Sequence, residues 1–143
     1  METMTQTSKV VYTAKTLTVG GREHGESRSA DGNLDIKLST PGTGGAGTNP
    51  EQLFAAGWSA CFEGAMGIGA RKMRITLPED TSIAAEVDLM FDQSNGYSLR
   101  ARLNVSLPGL DREVAQRLVD FGHANCPYSK AISGNVDVTI KLV

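Results

Sequence analysis

The chain predicts an α+β domain in which helices cover one face of antiparallel sheet. Three observations carry this. Apolar residues alternate with polar ones in several separate stretches, one long apolar helix occupies the middle, and a shorter amphipathic helix precedes the last strand.

The first element is a strand over Val10–Val19 (VVYTAKTLTV), which is β-branched and partly alternating. Gly20 and Gly21 break it, and Arg22-Glu23-His24-Gly25 reads as a polar loop or turn. Glu26–Ala30 is a short strand before Asp31-Gly32, a hairpin signal. Asn33–Ser39 then alternates Leu34, Ile36 and Leu38 inward and closes a small antiparallel unit. The glycine-rich stretch PGTGGAGT is a flexible connection into the long helix.

That helix, NPEQLFAAGWSACFEGAMGIGARK, starts clearly: Asn49 is a good N-cap, Pro50 suits the first helical position, and Gln52 stands where a capping-box partner belongs. From Leu53 to Ile68 the only carboxylate is Glu63, so the helix is expected to be buried on nearly every face. Leu77-Pro78 opens a turn. Ile83, Ala85, Val87, Leu89 and Phe91 then share one strand face, and Tyr97, Leu99, Ala101, Leu103, Val105 and Leu107 answer them after Ser94-Asn95-Gly96. This predicts a long hairpin with one dry face. A second helix starts at Asp111, with Val114, Leu118, Val119 and Phe121 at helical spacing. It ends near Asn125, because Pro127 disfavours helical geometry at Cys126. Tyr128–Ile132 suits a further helical turn, and Val136–Val143 is the last strand.

With 143 residues the chain is expected to be one domain with a real core. A net charge of -2 supplies no basic stripe for nucleic acid, and no polybasic segment suggests a membrane surface. METMTQTSK lacks the apolar core of a leader, and no run approaches the ~20 residues that span a bilayer. A cytoplasmic protein is therefore expected. Two cysteines, Cys61 and Cys126, are too few for a disulfide framework there. They are inert core thiols or a redox pair.

A free thiol has a pKa near ~8.5, and the thiolate is the nucleophile. Cys61 lies too far along its helix for the dipole to help. Phe54, Trp58, Ala65 and Ile68 form an apolar lane beside it, and burial there raises a thiol pKa. A reactive Cys61 therefore needs a cation from elsewhere. Cys126, on a bend before proline, is expected to be more exposed. One thiol beside apolar side chains and one on a bend suit a peroxidatic and a resolving cysteine, though each alone also suits a structural role.

The blocks GTNPEQLFAAGWSACF, HANCPYSKAISGNVDVTIKLV, YTAKTLTVGGR and DGNLDIKLSTP resemble the organic hydroperoxide resistance proteins of the OsmC/Ohr superfamily. The resemblance runs from Tyr12 to Val143. It implies an OsmC/Ohr-like α+β fold, with a long buried central helix, in an intertwined homodimer. It also implies that Cys61 is the peroxidatic thiol and Cys126 the resolving one. Arg22 would hold the thiolate, and Glu51 would orient that arginine through a bidentate pair. The family's reductant is a dihydrolipoyl group carried on a protein, and no metal, haem or flavin is required. Phe54 and Trp58 are the candidate substrate-binding residues.

The departures from the family pattern are Trp58, Glu63, Lys130, Ile132 and a shortened glycine loop, all of which bear on the rim of the pocket. Glu51 and Cys61 are ten residues apart on one helix, about 15 Å along its axis. An arginine paired with Glu51 would strain to reach Cys61 of the same chain. Two antiparallel copies of the helix would bring Glu51 of one chain beside Cys61 of the other, which predicts a homodimer with composite sites.

Other signals carry less. Gly57-Trp58-Ser59-Ala60 begins like a nucleophile elbow but lies mid-helix. The glycine loop lacks the Gly-Lys-Ser/Thr ending of a phosphate cradle. His24 and His123 show no zinc-ligand spacing. The expected activity is reduction of alkyl or fatty-acid hydroperoxides. The alternatives are an OsmC-type peroxidase of broader preference and a non-catalytic dimeric module holding an apolar ligand.

Overall fold

The computed structural model describes residues 7–143, so most of METMTQTSK lies outside it. The chain forms two compact units, one ending at Asn49 and the other Pro50–Val143.

The first unit is a three-stranded antiparallel sheet of β1 (Thr16–Val19), β2 (Glu26–Ser29) and β3 (Asp35–Lys37), in that spatial order. The strand expected from Val10 begins only at Thr16. The cause lies in its partner: Thr16 pairs with Ser29, Lys15 still accepts from the Ala30 N–H at 2.9 Å, and then β2 turns away. Asp31 fixes that turn by accepting from the Ser29 hydroxyl at 2.6 Å and the Asn33 N–H at 3.0 Å. Val10, Val11 and Tyr12 are left exposed. The polar loop or turn expected after the glycine pair is a single helical turn, α1 (Gly21–His24). Gly20 and Gly21 enter it with φ of 86° and 73°, a region open chiefly to glycine.

The second unit begins with α2 (Pro50–Met73), the long helix the sequence predicts. It packs on α3 (Arg112–Asn125), on α4 (Pro127–Ile132) and on a sheet of β4 (Ser82–Asp92), β5 (Gly96–Ser106) and β6 (Asp137–Leu142). The hairpin pairs the two expected apolar faces, with Ile83 opposite Val105, Ala85 opposite Leu103 and Val87 opposite Ala101. The expected antiparallel pairing has one exception, since β6 runs parallel to β5. A parallel return needs a long crossover, and α3 with α4 supplies it.

The core joins Trp58, Phe62, Met66 and Ala70 of α2 to Ala101, Leu103 and Val105 of β5 and to Ala115, Leu118 and Val119 of α3. Glycines bring α2 and α3 together: a Cβ on Gly122 would come within 2.8 Å of Met66, and one on Gly69 within 2.7 Å of Phe121. Asp111 caps α3 by accepting from the Glu113 and Val114 N–H groups.

Two expectations about burial are corrected. The hairpin face is dry only near its base, because Leu89, Phe91 and Tyr97 at the turn end are 45%, 63% and 72% exposed. The last two rings cover each other at 5.0 Å. The long helix is not buried all round either. Ala56, Ala60, Gly64 and Ile68, four residues apart, form an exposed lane along α2. Ala56, Ala60 and Gly64 are small enough to stand exposed at little cost, and only Ile68 leaves a large apolar side chain open, at 45%.

Candidate active site

One lane of α2 carries Phe54, Trp58 and Cys61, spaced by four and three residues so that they stand one above another. Facing it is the junction of α3 and α4. Cys126 closes α3, donating its N–H to Gly122 O at 2.8 Å. It also caps α4, its Sγ accepting from the Ser129 N–H at 3.5 Å. Its φ of -66° and ψ of 124° are the extended geometry that Pro127 imposes on its predecessor. That double role turns the side chain inward.

The exposures of the two thiols therefore differ from the expectation that Cys126, on its bend, is the open one. Cys126 is fully buried in the core and Cys61 is half-exposed. Both are free thiols. They stand close enough to interact directly: burial pushes the Cys61 thiol above its ordinary pKa, a hydrogen bond from the Tyr128 backbone pulls it back, and Cys126 pushes it up again. The fold thus brings Cys61, Cys126 and the Tyr128 backbone to one point.

An aromatic wall stands beside them. Phe54 stacks on Trp58 at 5.8 Å, with 10° between the rings, and on Tyr128 at 6.0 Å with 30°. Trp58 is fully buried, so the accessible part of the wall is the half-buried Phe54 and the more exposed Tyr128. The Trp58 indole N–H donates to Ser129 Oγ at 3.0 Å.

Arg22 lies in α1 of the first unit, and Glu51 lies in the first turn of α2. His24 and His123 are exposed. Among the described residues no three His, Cys, Asp or Glu side chains converge as metal ligands.

Sequence reasoning missed three residues here: Gly57, Tyr128 and Ser129. Gly57 entered the sequence reading only as the start of the rejected nucleophile elbow, yet a Cβ there would lie 2.6 Å from the Tyr128 hydroxyl. Tyr128 and Ser129 follow Pro127 directly, and the signal for them was the short helical turn expected there.

Residues 41–141 match the family described as OsmC-like protein. The chain is 47% identical over 143 residues to the organic hydroperoxide resistance protein of Xanthomonas axonopodis pv. citri (strain 306), covering 97% of this chain and 99% of that one. It is 46% identical over 136 residues to the organic hydroperoxide resistance protein OhrB of Bacillus subtilis (strain 168), covering 92% and 98%. The crystal structure of Bacillus subtilis OhrB superposes with a TM-score of 0.86, covering 94% of this chain and all of that one. A Vibrio cholerae structure, described as a putative organic hydroperoxide resistance protein with captopril in one of its active sites, superposes with a TM-score of 0.87. Its identity is 32%, over 96% of this chain and 95% of that one.

Proposed function

This chain belongs to the OsmC-like family and, within it, to the organic hydroperoxide resistance proteins, and from that membership we propose that it is a thiol peroxidase reducing organic hydroperoxides to alcohols. The observation that carries the reading is the meeting of a half-exposed Cys61 and a buried Cys126 beside an aromatic wall.

In the first step the Cys61 thiolate attacks the outer oxygen of the hydroperoxide. An S–O bond forms, the O–O bond breaks, and the departing alkoxide takes a proton to become the alcohol. Sulfur is oxidised by two electrons to sulfenic acid. Cys126 then attacks that sulfur. An S–S bond forms, the S–O bond breaks, and hydroxide leaves as water with the proton of the Cys126 thiol. A dihydrolipoyl group carried on a protein returns the disulfide to two thiols by exchange, itself becoming the cyclic disulfide. Phe54 and Tyr128 offer apolar surface that a bulky organic chain gains by covering, whereas hydrogen peroxide gains nothing there.

Burial works against the thiolate, so positive charge must reach Cys61. The reading gives that task to Arg22, steadied by Glu51. The unbroken helix between Glu51 and Cys61 supports supply of the pair across a homodimer, and the exposed small-residue lane of α2 suits a second copy. A reversible thiol cycle also suits the cytoplasm.

The test is steady-state turnover with dihydrolipoamide. The reading expects tert-butyl hydroperoxide to be reduced far faster than hydrogen peroxide, and thioredoxin or glutathione to substitute poorly. Equal rates would favour an OsmC-type peroxidase of broader preference. The burial that raises the Cys61 pKa favours a third reading, a non-catalytic dimeric module for an apolar ligand. Absence of turnover with every peroxide, together with saturable binding of an apolar ligand, would support it.

A further inference from the structure

A buried indole N–H is costly unless it finds an acceptor, and that of Trp58 finds one in Ser129 Oγ at 3.0 Å. Trp58 is 0% exposed and Ser129 1%. Trp58 lies three residues before Cys61 on α2, so the two are neighbours on one helix face. Ser129 lies three residues after Cys126, and its backbone N–H donates to Cys126 Sγ at 3.5 Å. One side-chain hydrogen bond thus ties the turn holding one thiol to the turn holding the other. The tie matters because α4 has only six residues, too few to hold a fixed conformation without tertiary contacts.

We propose that Trp58 and Ser129 are positioning residues for the second chemical step, holding the Cys126 turn so that its sulfur meets Cys61 as soon as the sulfenic acid forms. The inference rests on the peroxidase reading. Two reactions compete for the sulfenic acid. Attack by Cys126 forms the S–S bond, breaks the S–O bond and releases water. A second hydroperoxide molecule instead transfers one more oxygen to sulfur, giving sulfinic acid and releasing an alcohol. Condensation between two held groups depends steeply on their separation, and a displacement of about 1 Å costs on the order of a hundredfold. Loosening the Cys126 turn therefore diverts Cys61 toward sulfinic acid.

The experiment titrates the reduced full chain with tert-butyl hydroperoxide, without reductant, and reads the products by intact mass after blocking free thiols. The quantity measured is the hydroperoxide concentration at which half of the oxidised chains carry sulfinic acid instead of disulfide. Ser129→Ala and Trp58→Phe are each expected to lower it by about tenfold or more. A purely structural role is separated by Trp58→Phe combined with Ser129→Ala. The double variant carries the same ring cavity as Trp58→Phe but no unpaired Ser129 hydroxyl, so its urea midpoint should recover relative to Trp58→Phe alone. The diversion to sulfinic acid should persist. Wild-type partition in both single variants would overturn the proposal, as would recovery of partition together with stability in the double variant. A wild-type chain that forms no Cys61–Cys126 disulfide would overturn the peroxidase reading itself.

Discussion

Gly57 lies directly under the Tyr128 phenol: a Cβ at this position would stand 2.6 Å from the hydroxyl oxygen and 3.0 Å from the ring carbon bearing it. The helix accepts its least favourable non-proline residue here so that Tyr128 can lie against α2 and stack on Phe54. Gly57→Ala gains about 0.8–1 kcal/mol of helix propensity. The displaced ring offsets that gain by roughly 1–3 kcal/mol. The melting temperature should therefore stay near or slightly below wild type. The KM for tert-butyl hydroperoxide should rise several-fold, because the accessible wall is disturbed. Unchanged KM would place the substrate elsewhere.

The two cysteines should fail differently. Cys61→Ser should lose peroxidase activity entirely and give no mass change with one equivalent of hydroperoxide. Cys126→Ser should still consume that equivalent and stop at a sulfenic acid trappable with dimedone. The wild-type chain should lose two hydrogens and gain no dimedone. Retained turnover in Cys61→Ser would remove the assigned nucleophile.

Arg74 occupies the position after α2 where helices commonly place glycine. It has a φ of 60°, with the Ile75 N–H donating to Ala70 O at 2.9 Å and its own N–H to Arg71 O at 3.1 Å. This is a Schellman closure carrying a left-handed non-glycine residue. Arg74→Gly should stabilise the chain by roughly 0.5–1 kcal/mol, read as a higher urea midpoint at unchanged slope. A lower midpoint would mean that the arginine side chain contributes more than its backbone strain costs.

On the outer face of the hairpin, Asp88 accepts from Arg102 at 2.8 and 3.0 Å and from Arg100 at 2.9 Å. Hydrogen bonds from Arg102 first and Arg100 second hold its carboxyl well below the usual carboxylate range. A depressed folded-state pKa contributes stability above the unfolded value of about 3.9 and loses it as pH falls further. The groups are partly exposed, so solvent screens the pair and the effect is modest. Asp88→Asn should show a lower urea midpoint at neutral pH, and the gap to wild type should narrow steadily below about pH 4. A gap independent of pH would assign the loss to packing.

Most of the fold was legible because its signals are local. The cap and proline of α2, the alternation in β4 and β5 and the proline after Cys126 each act within a few residues. What escaped depends on the partner element. The first strand shortens because β2 turns away after Ala30, and β6 runs parallel because two helices intervene. Ala115 and Gly122 were absent from the expected face of α3, because small residues give a weaker signal than Val114 or Phe121, although both are buried and Gly122 sits in close contact with Met66 and Phe62. In the site, chemistry marked the cysteines, but their exposures came out reversed. A residue before proline looks open in sequence, and Cys126 is turned inward because it both closes α3 and caps α4, which packs against α2.

Charge at Cys61 decides whether the thiol can react. Burial and the neighbouring Cys126 push this thiol up, so a working nucleophile requires that a guanidinium outweigh them. The direct measurement is the pH dependence of alkylation of Cys61 in the native assembly, in a Cys126→Ser background, with and without Arg22→Ala. Half-maximal reactivity is expected below neutrality when Arg22 is present and above the ordinary thiol value of ~8.5 when it is replaced. Cys61 remaining protonated well above neutrality with Arg22 in place would contradict this expectation.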